Sequence, residues 1–419
     1  MRYCIHCILP ETRPGLIIDD DGTCSACHGH EDKEYNIDGA ARSAIFSNIV
    51  NQAKETSRGY DCIIPVSGGK DSWYQVIKSQ LYGLKVLCIT WRTPQRTKIG
   101  QVNLDHMIAK LGVDHIDFSI NPDVEKRFMM ASFEKKGATG IPMHMAIFAI
   151  PYRLATQLRI PLIIWGENPQ LEFGGPEADR LSTDLNLDWI TKHGVTNQTK
   201  REDWIGINEL TDADLSPYIL PSLDDLSSFH PKSIFLGSFF KWDSFSNYKT
   251  AAEYGFSSHS SNKKTGRWEF ADIDCHFISL HHFLKWHKFG FLRIFDNLSV
   301  EIRYGRINRK EAIQILTETG LNKPHEDIER FCEFMEKPIG WFWNTTERFR
   351  NKKIWRKESN ESPLLYFTRS QAHKLKEKIG SERVVVDFAM RYGNPSIKSR
   401  LNLLKEEGCE NIIILPLYP

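Results

Sequence analysis

Short apolar runs alternate with stretches of helical spacing along the first half of the chain. Tyr60 to Val66 is a short apolar run, Leu84 to Trp91 is of the buried-strand type, and His115 to Ile120 and Ile160 to Trp165 are further strand candidates. Between them Asp71 to Leu81, Val102 to Leu111, Val124 to Lys135 and Met145 to Leu158 repeat apolar residues at helical intervals, and Ala40 to about Thr56 leads in with the same spacing. Strands that alternate with helices predict an α/β domain with a parallel sheet and helices on both faces. Past Gly175 the chain turns polar and aromatic, with one strand candidate at Ser233 to Phe239 and helix-like segments to about Glu336. Near the C-terminus, Val384 to Met390 and Asn411 to Leu415 are strand-like and flank a helix, which predicts one βαβ-like unit. The expected division is a small cysteine-bearing module over 1–35, the α/β domain over 36–200, a mainly helical region over 201–357 and a tail over 358–419.

Composition narrows the function classes. At 419 residues the chain exceeds one ordinary domain, and 41% hydrophobic with 26% charged residues fits a folded globular protein. Lys plus Arg number 54 against 53 Asp plus Glu, so no basic field exists to collect nucleic acid, and none is expected as a partner. No stretch approaches the roughly 18 apolar residues of a membrane span, and no basic segment followed by an apolar run opens the chain. The expectation is a cytoplasmic protein without membrane association.

Four of the nine cysteines fall in the first 27 residues, as Cys4-Ile5-His6-Cys7 and Cys24-Ser25-Ala26-Cys27. Two CxxC pairs sixteen residues apart have the spacing of a closed, structural zinc site of four thiolates, in the manner of a zinc ribbon. A redox CxxC would follow a strand, whereas both pairs lie in turn-rich sequence. His28 and His30 are adjacent spare ligands.

Ser67-Gly68-Gly69-Lys70-Asp71-Ser72 follows a strand candidate and opens a helix. Two glycines let the backbone approach an anion, and the first N–H groups of the helix lack internal partners and point at it. Ser67, Ser72 and Lys70 add donors, and Asp71 suits a magnesium ion. The plainer alternative, a turn that merely needs glycine, does not account for the full string in this context. The spacing is too short for a Walker loop.

This loop resembles that of the PP-loop ATP pyrophosphatases, of adenine nucleotide alpha hydrolase-like fold, a family that includes GMP synthetase, asparagine synthetase and the tRNA thiolation enzymes. The resemblance implies cleavage of ATP between the α and β phosphates, pyrophosphate held by the loop, and AMP attached to a substrate oxygen. Ser67 to Ser72 and Thr90 are then the nucleotide-binding candidates, with Lys70 and Asp71 catalytic. Over residues 1 to about 357 the chain resembles the N-acetyl sugar amidotransferases of surface-polysaccharide (LPS O-antigen) biosynthesis. The residues are the two CxxC pairs, the loop, Trp165-Gly166-Glu167-Asn168 with Glu172-Phe173-Gly174-Gly175, Lys285 to Gly290, and Arg303 to Arg309. That resemblance implies conversion of an acetamido group on a sugar nucleotide or nonulosonic acid to acetamidino, with ammonia from a separate glutaminase. Glu167 is the further catalytic candidate, and Glu167, Asn168, Glu172, Lys288 and Arg303 are the substrate-binding ones.

The residues by themselves leave more open. Glu167 and Asn168 can contact a sugar, a metal or ATP, or simply cap a turn after a core strand. Lys285, Lys288, Arg303, Arg306 and Arg309 can bind an anionic substrate or form a solvated helix face. His276, His281, His282 and His287 carry no assigned role. Cys4 lies inside a CxxC pair and no other cysteine has evident partners, so the chain holds no expected glutaminase nucleophile. A tRNA-type sulfur transferase, sharing the adenylation step, would want a persulfide cysteine and a basic surface; a non-catalytic zinc scaffold for the glutaminase would not need Lys70 and Asp71. From about Asn360 the chain resembles ferrochelatase, in Ser362-Pro363-Leu364-Leu365, Gln371, Arg391 to Ser396 and Leu415 to Pro419. It stops before that family's metal-inserting histidine and glutamate, so haem synthesis is not expected.

Overall fold

Five strands, β1 (Cys62–Pro65), β2 (Val86–Trp91), β3 (Asp114–Phe118), β4 (Leu162–Trp165) and β5 (Lys232–Phe235), form one sheet in the order β3-β2-β1-β4-β5, every pair parallel. Because strand side chains alternate between faces, Cys62 and Ile64 enter one core and Ile63 the other. Helices α2 (Gly39–Thr56), α3 (Lys70–Leu81) and α4 (Lys98–Leu111) supply Phe46, Trp73, Val76 and Leu104 to the first core. Helices α5 (Pro122–Lys136) and α6 (Ile141–Gln157) supply Phe128, Ile150 and Ala155 to the second. The expected parallel sheet with two covered faces is therefore present. Its fifth strand lies past residue 200, so the boundary expected there falls inside the sheet-forming region.

The computed structural model describes residues 2–196, 198–258, 266–320, 323–351, 363–380, 384–390 and 395–414. Helices Ile278–Phe289, Arg293–Arg303, Arg309–Thr319, His325–Met335 and Ile339–Arg348 build a third core from Leu280, Phe283, Leu298, Phe331 and Phe342. Met129 and Phe133 of α5 reach into it and join it to the α/β layers. The N-terminal module, with α1 (Ser25–Glu31), has a core of its own, where the four cysteines are buried with Leu9, Leu16 and Ile18. Among the described residues no helix is long and apolar enough to cross a membrane.

The tail departs from expectation. Helices Pro363–Ile379 and Ile397–Glu406 form, but 384–389 and 411–414 have no strand pairing, and Met390 makes only one bridge, to Ser396. Among the described residues no sheet edge is offered to either segment, and Ile413 and Ile414 remain 87% and 72% exposed. Leu415 to Pro419, Ser362 and Arg391 to Asn394 lie outside the described residues.

In the second core Glu125 is buried and accepts from the Trp91 indole, and burial pushes its carboxyl up to about 8. An acid whose folded pKa exceeds its unfolded one contributes stability that is lost as pH rises from the ordinary carboxylate range to about 8. Glu125→Gln is expected to leave stability nearly unchanged at pH 5 and to raise it by on the order of 2 kcal/mol at pH 8. Thermal unfolding at both pH values checks this; an equal shift at both would show a carboxylate already ionised in the core.

Candidate active site

Strand β1 pairs with β2 on one side and β4 on the other, so the chain departs in opposite directions after β1 and after β4. A crevice opens at the carboxyl ends of strands where the order reverses. The loop from Val66 to Gly69 and the loop from Gly166 to Asn168 border it. Gln75 of α3 ties the helix that follows the first loop to the second, accepting from Gly166 N at 2.7 Å while its amide nitrogen turns back to Asp71 O at 3.2 Å.

The first loop is shaped by close packing. Gly68 has φ +86°, and a Cβ there would stand 2.9 Å from Leu104 N and 3.0 Å from Gly100 O, so glycine alone lets α4 approach. Ser67 N donates to Ser72 Oγ at 3.0 Å, and Gly69 N donates to Ser67 Oγ at 3.3 Å. Helix α3 starts at Lys70 with no side-chain cap, so its leading N–H groups are available to an anion. The cradle fits a pyrophosphate.

Lys70 Nζ lies 2.6 Å from Asp71 Oδ2 and 5.7 Å from the centre of the Phe270 ring. Asn247 Nδ2 donates to Asp71 Oδ1 at 3.0 Å, while Asn247 Oδ1 is buried without a protein partner, an acceptor suited to a metal-bound water beside Asp71. Phe270 sits between Tyr248 and Trp268, its ring centre 4.4 and 5.6 Å from theirs. Thr97 N donates to Asp274 O and His276 N to Gln95 O, both at 3.0 Å, which lays residues 272–276 along the chain after β2. Asp274 thereby reaches the Ser67 side chain, and burial raises its pKa. Against burial, Arg293 and His282 hold Asp272 well below the carboxylate range.

Glu167 is half-buried at the end of β4. Burial, then the charges of Asp71 and Glu172, push its carboxyl up to about 7, with Arg293 and Lys70 opposing. It shares the crevice with Lys70 and Asp71. The other sequence-derived candidates are held by protein partners. Thr90 Oγ1 donates to Val66 O at 2.7 Å and fixes the end of β1. Asn168 caps α7 (Pro169–Phe173) through Gln170 N and donates to the carbonyls of Asp179, Arg180 and Ser182. Glu172 is buried and takes Lys33 Nζ at 2.7 and 2.9 Å. Arg303 donates to Glu172 O at 2.8 Å, and Lys288 donates to Lys136 O at 3.1 Å. Arg309 donates to the carbonyls of Cys7 and Cys4, and Arg306 bonds Glu301 and Asp243. Sequence reasoning missed Asn247, Asp272, Asp274 and Arg293. The paired carboxylates of Asp272-Ile273-Asp274 were a usable signal; Asn247, in a helix far along the chain, gave none.

The four thiols Cys4, Cys7, Cys24 and Cys27 all lie within 4.8 Å of one another, with Cys4–Cys27 at 3.8, Cys7–Cys24 at 3.6 and Cys24–Cys27 at 3.7 Å. A zinc tetrahedron with Zn–S of about 2.3 Å has edges of about 3.8 Å. The donor set therefore fits zinc. Hydrogen bonds from Cys24, then Cys27, hold the Cys4 and Cys7 thiols below the ordinary range. Helix α1 lies against α7 so closely that a Cβ on Gly29 would stand 2.5 Å from Leu171 O. The module thus braces the segment that follows Glu167.

Comparison with known proteins finds two families, whose matches overlap over residues 326–371. Residues 244–371 match the family described as LPS biosynthesis protein WbpG-like, C-terminal domain. Residues 326–419 match the ferrochelatase family, reaching further back than Asn360. The ferrochelatase of Bradyrhizobium diazoefficiens is 53% identical over 75 residues, 18% of this chain and 22% of that protein. That of Francisella tularensis subsp. holarctica is 50% identical over 68 residues, 16% and 20%. The chain thus spans about a fifth of the length of these relatives. Among solved structures, NMN synthetase from Francisella tularensis is similar with a TM-score of 0.26 and 16% identity, over 52% of this chain and 93% of that one. The NH3-dependent NAD synthetase from Campylobacter jejuni is similar with a TM-score of 0.27 and 14% identity, over 54% and 100%. At these scores the fold rests on the strand order itself.

Metal analysis of the chain purified without added metal should find about one zinc per molecule, given four closed thiolate ligands. Cys24→Ser should lose it and at least about 3 kcal/mol of stability. Soluble, fully stable protein without zinc would show that the thiols hold together unaided.

Proposed function

We propose that this protein is an ATP-dependent amidotransferase that adenylates the oxygen of an acetamido group on a sugar nucleotide or nonulosonic acid. Ammonia then displaces the adenylate and leaves an acetamidino group, AMP and pyrophosphate. The observation that carries this reading is the Ser67–Ser72 cradle at the strand-order reversal, facing a carboxyl that titrates near neutrality, Glu167. The similarity of residues 244–371 to an LPS biosynthesis family supports the sugar substrate.

Chemistry assigns the parts. An amide oxygen leaves poorly until adenylated, and loop N–H groups with Lys70 hold the departing pyrophosphate where its charge develops. Magnesium at Asp71 would neutralise phosphate charge. Glu167, ionised in part at neutral pH, accepts the proton that ammonia must lose as it attacks. Burial raises the thiols of Cys62, Cys88 and Cys275, the last two to about 12 and 11, so none is set up as a glutaminase nucleophile or persulfide carrier. Ammonia is accordingly supplied by a separate glutaminase.

Free ammonium should support turnover by the isolated chain, with AMP rather than ADP released and the sugar mass changed by exchange of oxygen for NH. Asp71→Ala should slow AMP release about a hundredfold while sugar binding persists. At constant free NH3 the rate should rise with pH through about 7, as Glu167 ionises, and Glu167→Gln should flatten that limb and cost about a hundredfold. ADP as product, or efficient use of glutamine by the chain alone, would overturn the proposal.

A further inference from the structure

Helix Ile278–Phe289 faces the first turn of α6 beside the loop site. The rings of His144 and His281 are 5.5 Å apart, and those of His281 and His282 5.4 Å. The first two close around Gly140, where a Cβ would stand 3.0 Å from His281 Nδ1 and 3.3 Å from His144 Nδ1. His144 Nδ1 is bonded to Gly140 O at 2.6 Å, and Nε2 has no hydrogen bond among the described residues. His282 is 5% exposed, neither ring nitrogen makes a hydrogen bond, and its Nε2 lies 3.4 Å from Asp272 Oδ1. Lys285, one turn beyond His281, is half-buried and makes no hydrogen bond or ion pair with the described residues.

Charges of both signs surround that ammonium. Asp296 and Asp272 face Lys285, but so do Arg293 and Arg13. Asp296 already takes Arg13 at 3.0 Å, and Asp272 takes Arg293 at 3.4 Å. Lys285, Arg293 and Arg13 thus meet Asp272 and Asp296, with Glu167 beyond Arg293. Burying both ring nitrogens of His282 without a hydrogen bond costs stability, which is the mark of a built binding site. Among the described residues the four cysteines are the group whose ligand atoms gather closely enough for a metal. Arg293 also faces Glu167, so this cluster adjoins the crevice.

We propose that His144, His281, His282 and Lys285, with Arg293, bind the anionic group of the substrate, a carboxylate or phosphate, and set its acetamido end toward Glu167. The amidotransferase reading supplies only the identity of the ligand. Burial lowers Lys285 to about 8 and His144 and His282 to about 4. An anion among them reverses that effect, so binding takes up protons.

Calorimetry on the full chain without ATP, in two buffers of different ionisation enthalpy at pH 8, tests this. N-acetylneuraminate offers a carboxylate without phosphate, and UDP-N-acetylglucosamine a diphosphate without carboxylate. At least one should bind with net proton uptake, and which one binds names the group. Lys285→Met should weaken that binding about tenfold or more, Lys285→Arg should retain most of it, and Lys285→Met should melt close to the parent because the ammonium it removes makes no hydrogen bond or ion pair with the described residues. Parental affinity in Lys285→Met, binding without proton uptake, or binding of neither probe would overturn the proposal. If Lys285→Met does not fold, His281→Gln carries the same test. ADP release by the parent chain, with Lys285-dependent binding intact, would remove the adenylation reading and leave the anion site standing.

Discussion

Parallel pairing of β1 with β2 on one flank and β4 on the other is the constraint from which the site follows. Parallel neighbours need crossover helices, and crossovers that diverge to the two sides cannot fill the gap between their own starting points. The loops after β1 and β4 therefore border one crevice. Everything else at the site is fitted to that gap: α4 closes on Gly68, Gln75 ties α3 to the second loop, and residues 272–276 lie along the strand-end loops to bring two more carboxylates.

Around the crevice, charge serves two different ends. Lys33 and Glu172 form a buried ion pair, with Tyr304 OH 3.3 Å from the ammonium and donating to Trp242 O at 2.7 Å. Arg303 and Arg309 bond backbone carbonyls of α7 and of the cysteine module. Such contacts lock the cysteine module, the sheet edge and the C-terminal helices into one frame, because a buried charge left without its partner is expensive. Lys285 is different. It is half-buried and makes no hydrogen bond or ion pair with the described residues.

The tail shows how far local pattern reaches. Its helices form because helical hydrogen bonds close within a segment, whereas a strand exists only beside another strand. Val384 to Met390 and Asn411 to Ile414 have strand-like composition, and Met390 alone finds a bridge. The same type of apolar run at Ile163 or Leu87 is a strand because two neighbours are there to pair with it.

Hydrophobic spacing by itself determined the α/β class and located four strands of the parallel sheet, with the fifth seen as a strand candidate but not as a member of the sheet; β1, β2 and β4, buried on both faces, read as uninterrupted apolar runs. The Ser67–Ser72 string and the paired CxxC motifs were equally legible, because their chemistry sits within a few consecutive residues. What only the tertiary structure decided is which distant side chains share the crevice. Asn247, Asp272, Asp274 and Arg293 reach it from elements far along the chain, and Asn168, Glu172, Arg303 and Lys288 are bonded to other parts of the fold instead. A charged residue reads the same in sequence whether its partner is a ligand or a carbonyl, and the choice is made by packing between elements that the sequence holds apart.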